Sequence, residues 1–165
     1  MVLAVVGISM NKYLLTLRKK AQGLTLIELL VTIAIIVILA LVGVPSYETF
    51  MAKERFAIAT NELYNSYRFA RNEALKTSRS MTLDAKEVGG VTDWANGWQV
   101  TNSSGAMLFE SKKPHQSVTV SGAVVTVTGM GSANSVSFTI TGDDKCNELL
   151  VLSSGQSQLR EVTCP

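Results

Sequence analysis

Hydrophobic and polar positions along this chain fall into three regimes, each predicting a different element. Residues 24–44 are apolar at every position except Thr25, Glu28, Thr32 and Gly43. A helix packed on a soluble core would show a polar face at 3.6-residue spacing, and this run has none. Its length matches the ~20 residues that cross a bilayer as a helix. Beyond Pro45 the pattern changes. From residue 46 to 78 there is no Pro or Gly, and Phe56, Ala59, Leu63, Tyr67, Ala70 and Ala74 recur at steps of three and four. Arg55, Glu62 and Glu73 fall off that stripe. We read one helix that kinks at Pro45 rather than stopping, because neighbouring groups can satisfy the backbone there. Over residues 24–78 it would be on the order of 80 Å long at 1.5 Å per residue.

The third regime is β. The runs "SMTLDA", "GWQVT", "AMLFE", "SVTV", "VVTVT", "VSFTIT", "ELLVLSS" and "QLREVT" are short and rich in Val, Thr, Ile and Leu. Gly, Asn and Asp turns divide them. They predict a mainly antiparallel β-sheet head. The fold class is therefore α+β, with a long N-terminal helix, one half membrane-spanning and one half amphipathic, packed on that head.

Charge adds an orientation. Arg18, Lys19 and Lys20 precede the apolar run, whereas Glu48, Lys53, Glu54 and Arg55 follow it with mixed sign. Basic flanks stay on the cytoplasmic side, so the N-terminus is expected inside and the head outside. Both cysteines, Cys146 and Cys164, lie in the part expected to be exported. In an oxidising compartment they read as a disulfide closing a short loop, worth ~3 kcal/mol; two separate buried thiols are the other reading. The only histidine, His115, is distant in sequence, which argues against a cysteine–histidine metal site.

One residue resists a plain anchor. Between Lys20 and Glu48 the only charged side chain is Glu28. A carboxylate at bilayer depth costs ~2.5–3.5 kcal/mol, and simple tethering gives no reason for it. A secretory signal fits no better: its apolar core spans about 7–15 residues, and "ALVGVPS" is a poor small-residue cleavage site.

The residues "KKAQG" followed by "LTLIELLVTIAI" resemble the class III signal of type IV pilins and pseudopilins. The resemblance implies cleavage by a prepilin peptidase after Gly23, then methylation of the new N-terminus at Leu24, where the family usually has phenylalanine. Glu28 becomes the fifth mature residue, as in the family, and Pro45 the twenty-second, where the family commonly has a helix-kinking proline. The new amine would pair with Glu28 of a neighbouring subunit, setting register as subunits stack in low dielectric, where desolvation offsets much of the attraction. An intramolecularly paired or protonated Glu28 is the alternative. A start at Met10 would leave the short basic leader usual for such signals.

Further along, "YRFARNEALKTSRSMTL" and "DWANGWQV" look like the GspH/FimT group of minor pilins and pseudopilins, in which a terminal cysteine pair is also common. Four segments follow: a leader over 1–23, a transmembrane half-helix over 24–45, an amphipathic half over 46–79 and a periplasmic head over 80–165. The resemblance implies an inner-membrane precursor built into a filament at or near its tip, priming pilus assembly with other major and minor subunits. A secretion pseudopilus is the alternative home.

No catalytic constellation emerges, and no cofactor or metal is expected. His115 reads as a loop residue, and Trp94 and Trp98 as core aromatics. Asp143, Asp144, Asn147 and Glu148 match no EF-hand spacing. DNA is weakly supported as a partner. The leader holds Lys12, Arg18, Lys19 and Lys20 and no acid, so the chain without it carries eleven basic against thirteen acidic residues, about −2. DNA-binding relatives carry Gly-Arg-x-Arg near the C-terminus; here Gly155-Gln156-Ser157-Gln158 stands in that place. Arg160, Lys112 and Lys113 remain as candidate contacts.

Overall fold

A computed structural model describes residues 23–164; most of the expected leader, residues 1–22 with the basic cluster and Met10, lies outside the described residues. The chain divides into two units, Met1–Val42 and Gly43–Pro165. Helix α1 runs over Leu26–Thr77, with Pro45 inside it.

In the first unit no residue of α1 is buried. The most apolar stretch of the helix has a mean hydropathy of 3.0 and is long enough to cross a membrane. Within the run Thr32 donates its hydroxyl to the Leu29 carbonyl at 2.8 Å. That bond satisfies the hydroxyl without water, as a lipid environment requires.

The second unit holds the core. Two four-stranded antiparallel sheets form it, rather than the single sheet the alternation suggested. The first is ordered β5-β4-β1-β7, from Met107–Glu110, Trp98–Asn102, Met81–Ala85 and Val125–Val127. The second is ordered β10-β9-β8-β6, from Ser157–Val162, Cys146–Val151, Val136–Thr141 and Thr119–Ser121. All eight predicted runs are present as strands. An additional hairpin pairs β2 (Glu87–Val88) with β3 (Val91–Thr92) across Gly89 and Gly90, both at positive φ. A two-residue Gly-Gly turn is its sequence signature, which the strand reading passed over.

Every residue of the predicted helical stripe is buried: Phe56, Ala59, Leu63, Tyr67, Ala70 and Ala74. They pack in one cluster with Leu83, Val100 and Val125 of the first sheet and Phe138, Ile140 and Leu149 of the second. Trp94 and Trp98 belong to the same core. The Trp94 ring meets Phe138 edge-on at 5.0 Å, and the Trp98 indole N–H donates to the Ser66 hydroxyl at 2.8 Å. The hydroxyl in turn donates to the Glu62 carbonyl at 2.6 Å, so this buried polar pair is satisfied.

Candidate functional site

Gly23 and Leu24 precede the helix in irregular, exposed backbone. Thr25 then caps it. Its hydroxyl accepts the Glu28 N–H at 3.2 Å, and its carbonyl accepts the Leu29 N–H at 3.1 Å. Thr25 and Glu28 thus hold the spacing of a helix-start signal, and a carboxylate in the first turn faces the positive end of the helix dipole. Among the described residues the Glu28 carboxylate has no hydrogen-bond or ion-pair partner. Along the run Leu24, Leu26, Ile27, Ile36 and Leu41 are all more than 60% exposed. The segment presents a continuous apolar surface with one carboxylate at its start.

In the head, Cys146 and Cys164 form a disulfide of 2.07 Å. It ties the start of β9 to the residues after β10. Asp143 and Asp144 sit exposed in the β8–β9 turn. Glu148 points elsewhere: it accepts from Ser137 Oγ at 2.5 Å and from Arg160 Nε at 2.6 Å. Those two bonds, Ser137's contribution larger, hold its carboxyl below the ordinary value. Among the described residues no three His, Cys, Asp or Glu side chains group as metal ligands would. His115 is exposed, its Nδ1 accepting the Ser117 N–H at 3.2 Å.

The candidate nucleic-acid residues do not form one patch. Arg160 lies on β10 of the second sheet and is paired with Glu148. Lys112 and Lys113 follow β5 of the first sheet, where the Lys112 N–H donates to Glu62 at 3.4 Å.

The Gly155-to-Gln158 segment has neighbours that sequence reading missed. Tyr67 donates its hydroxyl to the Gly155 carbonyl at 2.7 Å, and Arg71 Nε donates to the Gly131 carbonyl at 3.1 Å. Burial raises the Tyr67 phenol above its usual range, with Arg71 opposing. Arg68 stands over the Tyr64 ring at 5.5 Å. A recess of about 520 Å³ brings Tyr64, Arg68 and Arg71 together with Gln156 and Gln158. The available signal was the pair of arginines at a three-residue step, just off the apolar stripe.

A helix that starts with an unburied apolar run and continues as the spine of a β-rich head is the architecture of pilins and pseudopilins, which are structural subunits. The comparisons agree. A model for the prokaryotic N-terminal methylation motif matches residues 18–44, and one described as Type II transport protein GspH matches residues 59–161. The chain is 33% identical over 131 residues to prepilin peptidase-dependent protein D of Escherichia coli (strain K12), covering 78% of this chain and 77% of that one. In fold it resembles the type IV minor pilin FimU of Pseudomonas aeruginosa, with a TM-score of 0.57, 22% identity, and coverage of 67% of this chain and 92% of that chain. It also resembles the minor pseudopilin EpsH of the Vibrio cholerae type 2 secretion system, with a TM-score of 0.52, 8% identity, and coverage of 64% and 95%. The chain belongs to the GspH family and is a minor pilin or pseudopilin.

Proposed function

We propose that the chain is a minor subunit of a type IV pilus that enters the filament at or near its tip and primes assembly. A prepilin peptidase removes residues 1–23, and the amine so created at Leu24 is methylated. The precursor waits in the inner membrane, N-terminus inside and head outside, until it is extracted into the fibre beside other pilins. The carrying observation is the apolar start of α1, fully unburied and capped at Thr25 one residue after the expected new N-terminus. Such a surface needs lipid or the helices of other subunits to cover it.

Glu28 has a role in this scheme. Its carboxylate is costly in an isolated subunit, and the cationic Leu24 amine of an adjacent subunit offsets that cost once the register is right. We expect Glu28→Ala to leave the chain membrane-inserted and processed while its recovery in sheared filaments falls. Equal recovery would show that the carboxylate sets no register. Mass spectrometry should find a methylated Leu24 N-terminus; an intact leader in cells with active peptidase would rule the processing out.

A secretion pseudopilus remains the second reading, supported by the family's description as a transport protein. Deletion separates the two: loss of surface pili and twitching marks the pilus, and loss of exoprotein secretion the pseudopilus. Scoring transformation in the same strain tests the DNA reading, which the scattered Arg160, Lys112 and Lys113 support poorly.

A further inference from the structure

The second half of α1 has two flanks, and they are filled unequally. On one, Ser66 meets Trp98, and the tilted rings of Phe69 and Phe109 stand 5.9 Å apart, so that flank lies on the first sheet. On the other, Thr60, Tyr64, Arg68 and Arg71 follow at steps of three and four, which places them in a row. Opposite that row runs β10. Two recesses lie between the row and the strand, one of about 520 Å³ at Arg68 and Gln158 and one of about 360 Å³ at Thr60 and Leu159. They follow one another along helix and strand, and the pair is called the trough below.

Two features leave the trough open to an occupant. Leu159, on the trough wall, is 40% exposed. Among the described residues strand β10 pairs only with β9, which leaves its outer edge open to an extended chain.

Charge identifies the occupant. Among the described residues neither Arg68 nor Arg71 pairs with a carboxylate. Arg71 spends only its Nε on the Gly131 carbonyl, and Arg68 rests on an aromatic face. Two guanidiniums in one recess match a carboxylate. The other recess is lined by Glu54 and Glu161 as well as Lys53 and Lys145, a balanced set that suits a peptide of mixed charge better than a polyphosphate. We propose that the trough receives an extended, acid-bearing segment of a neighbouring filament subunit, its carboxylate held by Arg68 and Arg71. The identity of the donor as a filament subunit rests on the function proposed above.

The test uses the full-length chain in its own cells, with Leu159→p-benzoylphenylalanine as a photo-crosslinker. We expect an adduct with another subunit, mapping to a segment that contains Asp or Glu. Arg68→Glu should cut its yield by about tenfold, the scale of one lost charge-assisted contact, and Arg68→Lys should retain most of it. Reversing the mapped acid to Arg should restore the yield in the Arg68→Glu background. Processing and disulfide formation, followed in every variant, report that the chain still folds. Unchanged yield in Arg68→Glu, an adduct on a segment without an acid, capture of DNA instead, or no adduct in filaments that contain the chain would each overturn the trough alone. A chain found unprocessed and absent from filaments would overturn the filament reading, and the trough's donor with it.

Discussion

At Gly155 a Cβ would sit 1.7 Å from the Gly131 carbonyl oxygen, and the backbone φ of +76° is one that side chains rarely adopt. Both facts bind the β9–β10 turn to the Tyr67 and Arg71 contacts. We expect Gly155→Ala to lose roughly 2–4 kcal/mol in chemical unfolding, the range for a strained backbone site with a steric clash. A loss near zero would show that the turn shifts freely. Glu148 offers a test in pH. Its folded carboxyl is held below the ordinary 4.5, so its contribution is present above 4.5 and is lost as pH falls from there through the folded value. Ser137→Ala combined with Arg160→Gln should therefore flatten the acid limb of urea midpoints measured between neutral and acid pH. An unchanged limb would assign acid sensitivity to other carboxyls. Neither role was legible beforehand. Glu148 read as a neighbour of Asp143 and Asp144, and only pairing across β9 and β10 sets it opposite Arg160.

Elements were more readable where their signal is local. The helical stripe from Phe56 to Ala74 needed only a 3.6-residue period, and each of its members is buried. The strand runs were equally plain from alternation, as in the buried-to-intermediate pattern of Met81–Ala85. What alternation cannot carry is which strands pair. Partners such as Leu83 and Val125 are distant in sequence, and the division into two sheets follows from those pairings. The disulfide acts at this scale. It joins residues 18 apart and encloses the β9–β10 hairpin, whose outer strand has exposed side chains from Gln158 to Glu161. Little packing holds β10, so the covalent link matters to it. Replacing both cysteines by serine should lower stability by about 3 kcal/mol and speed amide exchange first in residues 157–162. Uniform exchange across the head would show that β10 is not the weak element.

Across the whole molecule the apolar surface is distributed in a way that separates folding from assembly. Every buried residue among those described lies between Phe56 and Gly155, whereas every one of residues 26–44 is exposed. The head therefore contains its complete core without the N-terminal half of α1. The sequence conveyed this too, since residues 24–44 lack the polar face a packed helix shows, but it could not reveal the Arg68–Arg71 recess, which exists only once β10 lies beside the helix. A fragment beginning at Ser46 should fold cooperatively with its disulfide formed, at a stability within the ~5–15 kcal/mol of ordinary domains, and remain soluble without detergent. The full-length chain should stay with the membrane after an alkaline wash. Circular dichroism melts and sedimentation check both halves of that expectation. A fragment that melts without cooperativity would mean that residues 26–44 contribute to the fold itself, and that the apolar run is more than an assembly surface.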